Sequence, residues 1–134
     1  MKGYILLIAA VVVVSACKKT EVNVTPGLFG KWEIRRMAGG IAGSNTTYKP
    51  GNGTTYQFYS DSTYKQYFNG KFGAQGIFHI RSFFPPSGYN YEEIRFNNDT
   101  IGDRLIFSGT KLTISEAWRI DDGYAWDYVK IQDQ

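Results

Sequence analysis

The chain has 134 residues, a length that suits one domain, because a single hydrophobic core normally serves about 100–150 residues. Its formal net charge of +3 is too small for the basic stripe of a nucleic-acid-binding protein, so nucleic acid is not an expected partner. Ten tyrosines, nine phenylalanines and three tryptophans stand among 15 glycines. This composition predicts an all-β domain, since aromatic residues favour strands and glycines favour turns.

Residues 1–16 have the organisation of an export signal. Lys2 supplies a positive charge, residues 4–14 form an apolar run, and Ser15 and Ala16 are small residues of the kind that a signal peptidase accepts. The run is shorter than the about 18–20 apolar residues that a membrane-spanning helix needs. We therefore expect a signal peptide rather than a membrane-spanning helix.

Cys17 follows this segment and is the single cysteine of the chain. Residues 14–17, Val-Ser-Ala-Cys, resemble the lipobox of bacterial lipoproteins. The resemblance implies that Cys17 carries acyl chains such as palmitate and anchors the protein in the cell envelope, where we expect the outer membrane facing the periplasm. The alternative is an incidental thiol. Residues 17–27 are mostly polar and are predicted to be a tether between the anchor and a domain at 28–134.

Strand-like runs follow the tether, separated by turn sequences such as Asn69-Gly70. The predicted strands lie at residues 29–37, 54–59, 62–68, 71–82, 89–96, 100–107, 111–120 and 124–131. Their connections are short except at residues 38–53 and 83–88. Consecutive strands joined in this way form an antiparallel meander, and eight of them can close into an up-and-down barrel without free edges.

The start of the first strand carries a family resemblance. Residues 28–32, Leu-Phe-Gly-Lys-Trp, and the strand pair at 56–64 are similar to the lipocalin-like domains of bacterial lipoproteins. The resemblance implies an eight-stranded barrel that Gly30 and Trp32 close at one end. In lipocalins a basic side chain late in the chain often stacks on this tryptophan, and Arg119 and Lys130 are the late basic residues available here.

An eight-stranded barrel either is filled by its own side chains or holds one small ligand. The candidates for an interior lining are Tyr56, Phe58, Tyr64, Phe78, Phe96, Trp118 and Trp126. Arg36 is the candidate charged group for an anionic ligand. The expected function is binding of a small apolar or amphipathic molecule. In the alternative, these aromatic side chains are ordinary core and the filled barrel docks another envelope protein.

Signatures of catalysis are sparse. His79 is the single histidine, no Gly-x-Ser-x-Gly motif occurs, and no cluster with metal-ligand spacing is evident. Glu92 and Glu93 are adjacent strand residues, which point to opposite faces. No catalytic residue, metal or cofactor is therefore predicted, and a hydrolase that uses His79, Glu92 and Glu93 is the least favoured hypothesis.

Overall fold

The computed structural model describes residues 27–84, 91–116 and 122–132, and these residues form nine strands and no helix. The predicted signal peptide, Cys17, most of the tether, Trp118 and Arg119 lie outside the described residues. The strands are β1 (Gly30–Gly39), β2 (Ser44–Thr47), β3 (Thr55–Phe58), β4 (Thr63–Phe68), β5 (Lys71–Phe83), β6 (Tyr91–Phe96), β7 (Asp103–Ser108), β8 (Lys111–Ser115) and β9 (Tyr124–Ile131).

Eight of these strands close into a barrel. From β3 to β9 each strand pairs with the next one along the chain, and every pair is antiparallel. Strand β1 pairs with β3 on one side and with β9 on the other, which closes the ring. The prediction of an eight-stranded antiparallel up-and-down barrel is confirmed.

Strand β2 lies within residues 38–53, where the sequence predicts a loop. It pairs with the end of β1, from Arg36↔Thr47 to Gly39↔Ser44. Gly40 and Gly43 take positive φ angles of 77° and 63° in the turn between the two strands, a conformation that glycine adopts without strain. The strand is polar and largely exposed, so it lacks the apolar alternation that reveals a strand in a sequence.

Inward-facing side chains fill one half of the barrel. The buried apolar residues of the whole barrel are Leu28, Trp32, Ile34, Phe58, Tyr64, Phe78, Ile80, Ile94, Leu105, Leu112, Ile114 and Tyr128. The largest of these side chains, Trp32, Phe58 and Phe78, lie near the start of β1, and the rings of Phe58 and Phe78 meet edge to face at 5.1 Å. This half is the closed end of the barrel.

Trp32 lies at the centre of the closed end and is fully buried. Its indole Nε1 donates a hydrogen bond to the Leu28 carbonyl oxygen at 2.7 Å, and the Phe107 ring packs edge-on at 6.1 Å. Lys130 Nζ lies 5.3 Å from the centre of the indole ring and donates to the Gly27 carbonyl oxygen at 2.8 Å. Lys130, one of the two late basic residues named above, therefore covers the tryptophan.

Gly30 makes room for this contact. Its φ of 119° lies in a region that favours glycine. A Cβ atom at this position would lie 3.0 Å from Lys130 Cε. The spacing of Gly30 and Trp32 in the sequence therefore has a physical cause, since the lysine stem passes over the glycine to reach the indole.

Glu33 is buried on the outer side of β1 beneath residues 51–53. Its carboxylate accepts hydrogen bonds from the backbone N–H groups of Gly51 at 3.0 Å and Gly53 at 3.2 Å, and from the Arg35 guanidinium. Burial alone would raise the pKa of Glu33, but these hydrogen bonds outweigh burial and hold the pKa below its ordinary value. The carboxylate thus fixes the long connection between β2 and β3 to the barrel.

We expect Glu33→Gln to lower the free energy of unfolding by about 1–3 kcal/mol at neutral pH, because the charged acceptor of three donors is lost. A carboxyl whose pKa is lowered by folding stabilises the protein above its unfolded pKa and loses that effect as the pH falls through the folded pKa. The deficit of the variant should therefore shrink below about pH 4. Urea titrations at several pH values test this, with the exposed Asp122→Asn as the control; an equal deficit at every pH contradicts it.

Candidate functional site

The half of the barrel opposite Trp32 contains a cavity of about 520 Å³. Six of its lining residues are aromatic, three are aliphatic and four are polar. They are Tyr48, Tyr56, Phe68, Phe96, Trp126 and Tyr128, then Ile34, Met37 and Ile114, then Thr54, Gln66, Asn69 and Asp103. Phe68 is 49% exposed and Asn69 is exposed as well. The cavity therefore reaches the protein surface at the end of the barrel where β4 turns into β5.

Stacked rings separate the cavity from the packed half of the barrel. The Tyr56 ring lies parallel to the Phe96 ring at a centroid distance of 5.5 Å, and the Tyr128 ring meets Tyr56 at a steep angle at 5.7 Å. Tyr56 also stacks on Phe58 at 5.4 Å, and the Phe58 and Phe96 rings themselves lie 6.4 Å apart. These contacts form the floor of the cavity, so the barrel is neither hollow throughout nor completely filled.

Three of the residues predicted for an interior lining do line this cavity: Tyr56, Phe96 and Trp126. Three others, Phe58, Tyr64 and Phe78, are buried in the barrel but belong to the packed core below the floor. Trp118 falls outside the described residues. The predicted set thus combined two layers of the barrel interior, which alternation alone does not distinguish because both layers point inward.

Arg36 does not line the cavity. A β-bulge between Ile34 and Arg36 shifts the alternation of β1 by one residue, so Met37 rather than Arg36 points inward. The Arg36 side chain is exposed on the outer face, where Nε donates to Asn45 Oδ1 at 2.9 Å and the guanidinium lies 3.6 Å from Asp127. The placement of Arg36 as the charged group of an interior ligand site is corrected accordingly.

The bulge is held by the connection between β2 and β3. The Asn52 side-chain amide donates to the Ile34 carbonyl oxygen at 3.0 Å, and the Tyr48 N–H donates to the Arg35 carbonyl oxygen at 2.9 Å. Both carbonyl groups lie where the bulge interrupts the hydrogen bonds between β1 and β9. The same connection brings the Tyr48 ring to the cavity, so one segment both holds the bulge and supplies part of the cavity wall.

Asp103 is the most informative lining residue that the sequence analysis did not select. It opens β7, two positions before the buried Leu105, and therefore points inward. Burial, followed by the negative charges of Glu116, Asp99 and Glu93, raises the pKa of its carboxyl to about 6. Its distance of two residues from Leu105 within the predicted strand at 100–107 is the signal by which alternation could identify it.

Tyr128 was also missed, although it lies two residues beyond Trp126 on the same strand. Burial raises the pKa of the Tyr128 hydroxyl, and the neighbouring Tyr56, Tyr48 and Asp103 raise it further. The Tyr56 pKa is raised too, by burial first and then by Tyr64 and Asp103. These hydroxyls are therefore neutral hydrogen-bonding groups of the cavity at any physiological pH.

His79, Glu92 and Glu93 do not converge. Glu93 is buried on the outer side of β6, where Oε1 accepts from Arg81 Nε at 3.0 Å and from Arg95 Nε at 2.5 Å. His79 is exposed and pairs in register with Arg95. Glu92, next to Glu93 on the strand, points to the opposite face of the sheet. The geometry brings none of the three residues to the cavity.

No family model, no curated protein and no solved structure matches this chain. Across residues 27–84, 91–116 and 122–132, no group of three or more His, Cys, Asp or Glu side chains is arranged to hold a metal ion. The described part of the chain also has no helix of the length and apolar character that would span a bilayer.

Proposed function

We propose that this chain is a non-enzymatic lipoprotein of the bacterial cell envelope whose lipocalin-like barrel binds a small, partly apolar molecule. The observation that carries the proposal is the cavity of about 520 Å³ above the Tyr56 and Phe96 rings. Small-molecule sites are typically concave, about 300–1,000 Å³ in volume, and mostly apolar with a few polar groups that orient the ligand. The cavity has this size and this mixture of groups.

The lining favours a ligand over simple packing imperfection. Protein interiors are close-packed, and voids much larger than a water molecule are few. A wall of six aromatic residues supplies a large apolar contact area, while the Tyr56 and Tyr128 hydroxyls, Gln66 and Asp103 supply hydrogen-bonding groups. A ligand with an apolar body and a polar group fits this arrangement.

A neutral apolar dye such as N-phenylnaphthylamine tests the proposal, because its fluorescence rises when it leaves water for an apolar site. We expect saturable binding to the barrel. Gln66→Trp should weaken binding about tenfold or more, since the larger side chain occupies the cavity. Lys65→Trp is the matched control, because residue 65 is adjacent on β4 and points to the opposite face. Equal binding by the two variants contradicts the proposal.

The membrane anchor is a separate part of the proposal. It rests on the lipobox-like residues 14–17 and on the single cysteine. Two or more acyl chains at Cys17 would hold the domain stably at the outer membrane, facing the periplasm, since each buried methylene contributes about 0.8 kcal/mol. The contact of Lys130 with Trp32 supports the lipocalin-like part of the proposal.

We expect Cys17→Ala to move the full-length protein from the membrane fraction to the soluble fraction of its host cells, because no acyl chain can then be attached. Lys19→Ala is the control and should leave the protein in the membrane fraction. Fractionation and immunoblotting give the distribution. Unchanged membrane association of Cys17→Ala would contradict lipid anchoring through this residue.

Exposed apolar side chains at the open end favour a second candidate function, the docking of another envelope protein. Ile41 is 93% exposed, Ile101 61% and Phe72 59%. Ile41 and Ile101 lie in two different connections and Phe72 lies at the start of β5, all on the side of the barrel where the cavity opens. Exposed apolar patches often mark interaction surfaces. The dye experiment separates the two candidates, because a docking module with an unused cavity would show no saturable, Gln66-dependent dye binding.

A further inference from the structure

The charge distribution around the cavity indicates the chemical class of its ligand, an inference that rests on the proposed binding function. Among the described lining residues, Asp103 is the one with an ionisable group that is charged near neutral pH. It lies half-buried at the start of β7 and is neighboured by three further carboxylates, Glu116, Asp99 and Glu93. The Glu116 side chain accepts a hydrogen bond from the Tyr124 N–H at 2.9 Å, which fixes its position beside the open end.

The cations of the neighbouring strands do not neutralise Asp103 within the cavity. Arg36 is on the outer face beside Asp127. Arg81 and Arg95 are on the outer face as well, where both bind Glu93. The raised pKa of Asp103 is the consequence, because burial and three neighbouring carboxylates act on it in the same direction. Within residues 27–84, 91–116 and 122–132, the cavity therefore holds a negative charge that no ion pair compensates.

The remaining walls suit a positive charge too. The rings of Tyr56, Phe96, Trp126 and Tyr128 border the same space. Aromatic faces carry a partial negative charge that attracts ammonium groups, with tryptophan the strongest of the side chains. The rings also provide apolar area for a hydrocarbon body. A carboxylate and several aromatic faces around one cavity form a site with complementary contacts for both parts of an amphipathic cation.

We infer that the cavity binds an organic ammonium ion, with the ammonium group against the Asp103 carboxylate and the apolar body among the rings of Trp126, Phe96 and Tyr128. An anionic ligand is disfavoured by the same geometry, because its charge would be placed beside Asp103 and Glu116 in a partly desolvated space. A neutral ligand gains the ring contacts but leaves the carboxylate without a partner. Affinity should therefore follow the order cation, neutral molecule, anion.

Three probes of nearly equal size test this order: phenethylamine, phenethyl alcohol and phenylacetate. Their affinities are measured by displacement of N-phenylnaphthylamine and by calorimetry near neutral pH, where a primary alkylamine is protonated. We expect phenethylamine to bind about tenfold or more tightly than the alcohol, and phenylacetate to bind weakest. Asp103→Asn should remove most of the preference for the amine and leave the alcohol unchanged. Asp61→Asn, at a fully exposed turn at the closed end, should leave all three affinities unchanged.

The pH dependence adds a readout that a structural role of Asp103 would not produce. The titratable groups that face or approach Asp103 are Glu116 just after β8, Glu93 on β6, Asp99 in the turn that follows β6, Tyr56 on β3 and Tyr128 on β9. The two tyrosines stay neutral, so the carboxyl groups govern the response. Phenethylamine should bind more weakly as the pH falls through about 6, when Asp103 becomes protonated, and the Asp103→Asn variant should lack this step.

The outcomes separate the two levels of the proposal. If the dye and the alcohol bind but the amine has no advantage, or phenylacetate binds tightest, the ammonium inference is wrong and the binding function stands. If neither the dye nor any probe binds, the proposed function is wrong and the inference fails with it. A preference for the amine that Asp103→Asn does not reduce also overturns the inference, because the carboxylate would then have no part in recognition.

Discussion

Replacing Trp32 with alanine is expected to lower the free energy of unfolding by about 3–5 kcal/mol, because a fully buried indole is removed from a packed region. The variant also loses the hydrogen bond to the Leu28 carbonyl oxygen and the Lys130 contact. A domain of this size has a total stability of about 5–15 kcal/mol. The change should therefore be visible as a large shift of the urea midpoint, followed by circular dichroism.

Trp126→Ala is the matched control for Trp32→Ala. Both changes delete an indole, but Trp126 is only partly buried and borders the cavity. We expect it to cost about 1 kcal/mol, since little packing is lost where space already exists. It should weaken dye binding, whereas Trp32→Ala, measured under conditions where it is folded, should not. Equal destabilisation by the two variants would contradict the division of the barrel into a packed half and a cavity half.

Asp103→Asn is expected to stabilise the protein by about 1–2 kcal/mol at about pH 8, an estimate that allows for solvent screening of a half-buried carboxylate. Folding raises the pKa of Asp103 from its ordinary 3.8 to about 6. A carboxyl whose pKa is raised by folding supports the folded state at low pH and loses that effect as the pH rises through the folded pKa. The gain from the substitution should therefore appear between about pH 4 and pH 6 and persist above.

Urea unfolding of the wild type and of Asp103→Asn across that pH range measures the effect. Glu33→Gln should change the free energy of unfolding in the opposite direction. The pKa of Glu33 is lowered by folding, so that carboxylate stabilises the barrel at neutral pH. Destabilisation by Asp103→Asn at about pH 8 would mean that a positive partner compensates the carboxylate, and the charge distribution described for the cavity would be wrong.

Functional sites often contain groups with perturbed pKa values. A carboxylate that borders a cavity and lowers the stability of the fold is typical of such a site. Asp103 meets both conditions, whereas Glu33 and Glu93 are buried charges with structural partners. The comparison explains why Asp103 is the residue from which we infer the class of ligand. It also predicts a conflict between stability and binding, since the same substitution should improve the first and weaken the second.

The barrel could be predicted from the sequence because its signals are local. Turn sequences such as Asn69-Gly70 separate the strands, and alternation places Trp32 and Ile34 on one face. Strand β2 escaped prediction because its residues are polar and it pairs over only four positions of β1. Closure between β1 and β9 follows from the count of strands rather than from a motif.

The candidate site was less predictable, because it depends on structural features that the alternation of apolar and polar residues along a strand does not reveal. The bulge after Ile34 reverses the facing of Arg36 and Met37, and no residue type at that position marks it. The boundary between the packed and the open half depends on how the strands tilt, which brings Tyr56 and Phe96 into contact although they lie 40 positions apart in the chain. Asp103 and Tyr128 were accessible to a stricter use of two-residue spacing.

A crystal structure of the barrel with bound N-phenylnaphthylamine tests the central claim most directly. The claim is that the open half of the barrel is a ligand cavity. The account predicts electron density for the dye above the Tyr56 and Phe96 rings and beside Trp126, with the packing around Trp32 unchanged. Dye bound on the outer surface, with the side chains of Trp126 and Tyr128 collapsed into the cavity, would contradict it.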